Sequence, residues 1–417
     1  MQGAGAVANV SGLVRRAGVG GASWWIAGVG VLVPLVCLAL PMFVIRPFVP
    51  QDPWQLAAAL TVRGMGPWIS AICAVIVVLV VARAWGPAAK WWGRAGLVTL
   101  AVVAIAEACL TQVNIFEIMF HPYPAPVFVE AGAAGVDGDD KVLAVTLSGE
   151  AHGYPIRTMG YHHIVNDTLG NEPIAVTYCT LCHTGLVWSR VLEGRTLHFR
   201  LAGINNGNAL IRDEETSSIW QQSTGQAIFG PLKGKQLKLV HSDELTYALW
   251  RSEEPKGRVL KPDAEYASEY ESKDWEKHIE KTHVVIDTSR TGFGPHELML
   301  GVTVDGMNKA YPVKAIAAAK VIEDRVGTGS IVIVQGPDGA SMRVFRAGTA
   351  MTFLTANDAV GNEKAVLRDA ETGSLWNFKG CAVSGAMNGK CLEAIDSNKD
   401  YWFDWKNHHP GTLVLKS

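Results

Sequence analysis

Charge is missing from three long stretches of this sequence. No charged side chain lies between Ala17 and Ile45 or between Gly64 and Ala82, and from Ala95 to Phe116 there is only Glu107. About 20 consecutive apolar residues suffice to cross a bilayer as a helix. These absences exclude an ordinary soluble chain and predict three membrane spans, at about residues 22–45, 64–84 and 95–116. The first run is too long for the apolar core of a secretory signal, roughly 7–15 residues, and two more follow it. A Walker loop, a dinucleotide fingerprint, a serine-hydrolase elbow and an HExxH string are also absent, so none of those chemistries is indicated. Without a basic patch, a Lys/Arg run or a reader motif, nucleic acid is excluded as a partner. The 417 residues are 48% hydrophobic, with a mean hydropathy of +0.15, in keeping with a membrane portion.

The charge that is present divides the chain in two. Residues 1–116 hold 7 Lys and Arg against 2 Asp and Glu, which leaves an acidic remainder of about 300 residues. Basic residues resist translocation and set the orientation of short flanks. Arg15, Arg16, Arg83, Lys90 and Arg94 fall on one side of the three spans and only Arg46 and Arg63 in the opposite loop. The expected arrangement is a bacterial inner-membrane protein with a cytoplasmic amino terminus and a periplasmic or extracellular carboxyl-terminal part. Trp24 and Trp25 suit an interface, and Glu107 lies toward the outer end of its span, where a carboxylate is cheap.

After a Pro/Gly/Asp-rich connector at 117–140, two stretches read alike about 155–157 positions apart, the signature of a repeat. Val142–Leu147 with Tyr154-Pro155 returns as Met299–Val304 with Tyr311-Pro312. Arg212-Asp213, Glu215-Thr216 and Trp220 return as Arg368-Asp369, Glu371-Thr372 and Trp376, and Trp250 and Pro255 match Trp405 and Pro410. The expected fold is therefore three transmembrane helices followed by a β-rich α+β region of two tandem copies of one domain, at 141–260 and 298–417, joined by a charged, partly helical connector at 261–297. Strands are expected at Val142–Leu147, Ile174–Tyr178, Gly185–Val191 and Thr196–Leu201, and helix from Tyr161 ending in an Asn166-Asp167 turn and at Asp243–Arg251.

The duplication separates fold from chemistry: what both copies share serves the fold, and what one copy alone carries is a candidate for function. By that test the first copy is equipped with His162, His163, Cys179, Cys182 and His183, where the second has Ala319, Lys320, Gly336 and Gly339 at the first four positions. Cys179-Thr-Leu-Cys182 follows a predicted strand, and such a loop can hold two sulfurs close enough for a disulfide or one metal ion. Because the histidines and cysteines are lost together, they are expected to meet in space.

The strings Gly153-Tyr-Pro-Ile156, His162-x-Ile-Val-Asn-Asp167, Val176-Thr-Tyr-Cys-x-Leu-Cys182-x-Thr184 and Ser218-Ile-Trp-x-Gln222 resemble the domain-of-unknown-function family 3179, over all of the first copy and more weakly the second. The resemblance implies an exported or membrane-attached protein. It also implies thiol redox chemistry, since some members place selenocysteine in the CxxC-like motif. His162, Cys179 and Cys182 match the family pattern, while His163 stands where the family usually has Glu and His183 where it usually has a small or amide residue.

Four readings follow. In the first, Cys179 and Cys182 are a catalytic dithiol aided by His162, with no cofactor and a redox or electron-transfer partner. In the second, His162, His163, Cys179, Cys182 and His183 hold zinc or copper. In the third, Cys179-x-x-Cys182-His183 attaches haem c. In the fourth, the cysteines are structural, in an exported binding domain. Cys381 and Cys391, confined to the second copy, are expected to form a disulfide under oxidising conditions. His408-His409 read as a solvated turn, Asn205–Asn208 as a turn whose amides could line a cleft, and Arg212-Asp213 as a structural ion pair.

Overall fold

The computed structural model describes residues 21–85, 90–123, 125–348, 351–361 and 363–415. Arg15, Arg16 and the loop 86–89 lie outside them. Two compact units are present: the chain up to Arg46 with Gln51–Asn114, and Pro47–Pro50 with the chain from Ile115 onward.

The first unit consists of three helices long and apolar enough to cross a membrane, α1 (Gly21–Val44), α2 (Pro53–Ala84) and α3 (Trp91–Leu110). Helix α2 begins eleven residues before the expected span. Pro53 occupies its first position, where a missing N–H costs nothing, and the Gln55 side chain accepts from the Asp52 N–H at 3.2 Å. Helix α3 stops at Leu110, short of Phe116, as the hydroxyl of Thr111 turns back onto the Ala108 carbonyl. Glu107, in the last turn of α3, is buried.

The second unit is β-rich. In its first sheet Lys141–Leu147 lies between Glu150–Pro155 and Asp243–Thr246, and Arg258–Leu260 runs parallel to Glu150–Pro155. Phe128–Glu130 closes the edge, so the connector at 117–140 supplies a strand to the fold. A second sheet runs Leu239–Val240, Thr184–Ser189, Glu172–Cys179, Ile164–Leu169, and a third joins Phe199–Asn205, Asn208–Asp213, Ile219–Gln221 and Ala227–Phe229. Farther along, Leu298–Val304 lies between Met307–Pro312 and Ser397–Tyr401, with Leu413–Val414 parallel to Met307–Pro312, the same order and directions as in the first sheet. Two further sheets lie between those elements, one of them Val321–Val326, Gly329–Gln335, Met342–Arg346, Glu393–Ile395.

Two expected helices are shortened. Tyr161–His163 does not open a helix into Asn166: Ile156–His162 is helical, His163 takes φ 61°, and the β-branched pair Ile164-Val165 enters a strand paired with Glu172–Cys179. Asp243–Thr246 is a strand, and the helix after it starts at Tyr247, capped by Thr246 Oγ1.

The Arg-Asp dipeptide is no ion pair. Asp213 accepts from the backbone and hydroxyl of Thr216 (2.6 and 2.7 Å) and from the indole of Trp220 (2.8 Å), pinning a turn to a buried ring. Asp369 does the same with Thr372 and Trp376. Apolar clusters run through the whole unit: Val142, Leu245 and Trp250 share one with Val332, Phe345 and Trp376, and Cys179, Cys182 and Trp220 share another with Tyr401 and Phe403.

Candidate functional site

Antiparallel pairing of Glu172–Cys179 with Thr184–Ser189 makes a hairpin, and Thr180–His183 is its loop. The pairing of Cys179 with Thr184 holds the two ends together, so both cysteines point into one small space. Their sulfurs are 3.1 Å apart and unbonded, with Cys179 3% and Cys182 0% exposed. Above them sits the tight turn between Phe199–Asn205 and Asn208–Asp213. Asn206 and Gly207 both have positive φ, 49° and 101°, the conformation that favours Asn-Gly in two-residue hairpins. A Cβ on Gly207 would meet the Phe403 ring at 2.9 Å. The Gly207 carbonyl accepts from Cys182 at 3.0 Å, and the Asn208 amide donates to Cys182 Sγ at 3.5 Å. Burial pushes the Cys182 thiol well above its ordinary range, helped by its hydrogen bond with Cys179 and by the charges of Asp404 and Asp400.

Those two aspartates come from the C-terminal half, which sequence comparison had marked as blank. The Tyr401 N–H donates to the Cys182 carbonyl at 2.8 Å, docking Ser397–Tyr401 and the helix Trp402–His408 against the CxxC loop. Thr184 Oγ1 lies 2.8 Å from Asp400 Oδ1 and 3.2 Å from Asp404 Oδ2, and Asn208 Nδ2 donates to Asp404 Oδ2 at 3.0 Å. The His408 side chain is only 3% exposed, not part of a solvated turn. Its Nδ1 faces both the Asp404 backbone carbonyl (3.1 Å) and its carboxylate (3.2 Å). Burial opposes charge on His408, but Asp404 outweighs it and holds the imidazole above its usual range. His409 stacks on Trp405 at 3.6 Å, and burial lowers it to about 4.

The expected meeting of histidines and cysteines does not occur. His162 Nδ1 donates to the His121 carbonyl (2.6 Å) and Nε2 faces the Tyr270 hydroxyl (3.1 Å), among the rings of Tyr123, Tyr161 and Tyr266. It lines a cavity of about 260 Å³ with Phe120, Asn166 and Arg190, and burial lowers its proton affinity. His163 is a backbone neighbour of the motif, its carbonyl accepting from the Tyr178 N–H. The positive φ turns its ring away, onto Phe120 at 4.6 Å, and burial brings it down to about 4. His183, also at positive φ, is turned from the sulfurs: Nε2 meets Glu276 at 2.8 Å, and Nδ1 faces Tyr178 (3.3 Å) and Glu244 (3.7 Å). Lys141 and Lys399 complete this charge network, buried at Lys399 and half-buried at Lys141. Burial would raise Glu276, yet His183 and Lys141 hold it far below the carboxylate range.

These positions bear on cofactors. Among the described residues, the one group of three or more Cys, His, Asp or Glu ligand atoms lying within 4.8 Å of one another is Asp137, Asp139 and Asp140, remote from the motif in composition and largely exposed. The set His162, His163, Cys179, Cys182 and His183 does not converge, so it does not fit zinc or copper. Haem c does not fit either, since His183, its expected ligand, is turned from the sulfurs and committed to Glu276. In the C-terminal half, Cys381 and Cys391 are bonded as a disulfide.

A membrane-type helical unit joined to a β-rich unit with an enclosed CxxC hairpin defines the class. The DUF3179 family, described as a protein of unknown function, matches residues 123–412, and the chain belongs to it. No curated protein and no solved structure matches the chain.

Proposed function

We propose that Cys179 and Cys182 form a reversible thiol–disulfide couple. The observation that carries this reading is the enclosed pair of unbonded sulfurs, 3.1 Å apart in a loop closed at both ends by strand pairing. A disulfide needs about 2.05 Å between sulfurs, so little motion separates the two states. In the step proposed, Cys179 attacks a partner's disulfide and releases one partner sulfur. Cys182 then attacks Cys179 Sγ and releases the second. One S–S bond forms as one breaks, two electrons pass to the partner, and the two thiol protons end on its sulfurs. Beside Leu181 and Gly207 a shallow cavity of about 20 Å³, reaching Val284, His296 and Phe403, is the proposed approach. The test is to equilibrate the full chain in detergent with graded glutathione redox buffers and count the Cys179–Cys182 disulfide by peptide mass spectrometry. One reversible two-electron transition is expected, and cysteines that stay in one state at every ratio rule the couple out.

We also propose that residues 141–260 and 298–417 are two copies of one domain, supported by the recurrence of sheet order and of the Asp213 and Asp369 turns. The excess of Lys and Arg at Arg15, Arg16, Arg83, Lys90 and Arg94 over Arg46 and Arg63 in the sequence supports anchoring in the inner membrane with the β-rich unit outside the cytoplasm. A reporter fused to the carboxyl terminus should then show export, and activity of a cytoplasm-only reporter would reverse the orientation.

A further inference from the structure

The Asn208 amide nitrogen touches two groups at once, Cys182 Sγ at 3.5 Å and Asp404 Oδ2 at 3.0 Å. Behind it Asp400 and Asp404, both at most 1% exposed, share the hydroxyl of Thr184. Ionised carboxylates are costly to bury. Burial, and after it the neighbouring Asp404, push the Asp400 carboxyl well above its ordinary range. An apolar core had a cheaper solution: 155 positions earlier, next to the matching tryptophan Trp250, stand Leu245 and Leu249. The Asp404 oxygen that Asn208 meets, Oδ2, is not the one that faces the His408 imidazole, Oδ1, 3.2 Å from Nδ1.

We infer that the Asp400–Asp404 pair, though carried by the C-terminal half, belongs to the CxxC site as a positioning pair that keeps Cys182 a protonated thiol until Cys179 has reacted. The inference rests on the redox reading of that motif. Its physical basis is charge repulsion across Asn208: a negative carboxylate pair disfavours a thiolate at Cys182, so Cys179 attacks first and Cys182 resolves. The other titratable groups against this sulfur are Cys179 and the Tyr401 phenol, from the strand Ser397–Tyr401. His183, although next in sequence, faces Glu276 and Glu244, whose charges are met by Lys141 and Lys399.

The test titrates Cys182 in the full chain by ultraviolet thiolate absorbance, taken as the difference between each protein and its Cys182→Ser counterpart. Asp404→Asn should move the Cys182 midpoint down by about one pH unit or more, the size expected for removing a near like charge. Asp404→Glu should retain the parent profile, which a role in packing alone would not produce. If Asp404→Asn does not melt cooperatively, Asp400→Asn serves, with the same direction expected. An unchanged or raised midpoint in a folded variant overturns the inference. A parent chain that forms no Cys179–Cys182 disulfide overturns the redox reading instead, and leaves the midpoint comparison intact.

Discussion

Serine at both Cys179 and Cys182 is expected to abolish the dithiol couple while lowering stability by only about 1–2 kcal/mol, the range of an ordinary buried polar substitution. The loop already holds what a serine hydroxyl needs, because the Gly207 carbonyl accepts from Cys182 at 3.0 Å and the Asn208 amide lies beside it. Its closure comes from backbone pairing, not from sulfur. The corresponding C-terminal loop folds without cysteine: the Gly336 N–H donates to the Ser341 carbonyl at 2.8 Å and the Gly339 N–H to the Gly336 carbonyl at 3.0 Å. A native structural disulfide would cost about 2–5 kcal/mol on removal, and a structural zinc site would unfold the region outright. Cys381→Ser with Cys391→Ser supplies the contrast within one molecule. That bonded pair closes a sequence separation of 10 residues, so its loss should cost about 2–3 kcal/mol and leave the Cys179–Cys182 couple in place. Thermal melting read beside the glutathione titration separates the two patterns. A collapse of melting in the Cys179/Cys182 variant, with no redox transition in the parent, would make the motif structural.

Much of this was legible in sequence. Three apolar runs, one of them broken only by Glu107, gave three helices, and the unbroken apolar and β-branched run from Ile174 gave the strand that ends at Cys179, which is buried on both faces. Side-chain direction left no such signal. His163 and His183 both take positive φ, which a histidine rarely adopts and no local pattern announced, and that is why two imidazoles adjacent to the motif face away from it. Asp400 and Asp404 were missed for a different reason. The comparison between halves asked only what the first had and the second lacked. Asked in reverse, it sets Asp400 against Leu245 and Asp404 against Leu249, two acids at positions where the other half has leucine in or beside its core. His408 was read as solvated because it stands near Pro410 where the first half has the charged pair Glu253-Glu254, although its spacing of four from Asp404 puts both on one face of a helix.

Arg343→Ala is expected to be the most destabilising single change, at about 3–5 kcal/mol, the cost of breaking a buried ion pair from one side. Arg343 Nε donates to Asp243 at 2.7 Å, and its two terminal nitrogens form a fork with Glu253 at 2.9 and 2.8 Å, over the Phe378 ring at 4.6 Å. All three charged side chains are at most 16% exposed, at the wall of a cavity of about 220 Å³, so alanine would leave two carboxylates facing each other with only the water of that cavity in place of the guanidinium. The penalty belongs to the stranded charges, not to lost attraction alone. Arg343→Met combined with Asp243→Asn and Glu253→Gln should therefore regain most of the loss, as apolar or neutral replacement of a whole buried network often does. Melting curves of the full chain compare the two. Because Arg343 joins the strand Met342–Arg346 to Asp243 and Glu253 from the N-terminal half, while Asp404 from the C-terminal half completes the Cys182 site, the clamp and the site depend on the same docking. The alanine variant should accordingly show Cys182 titrating lower, toward an ordinary thiol, as the contact through Asn208 loosens. A variant that melts far below the parent yet keeps the parent's Cys182 midpoint would mean that the aspartate pair stays in place without the clamp.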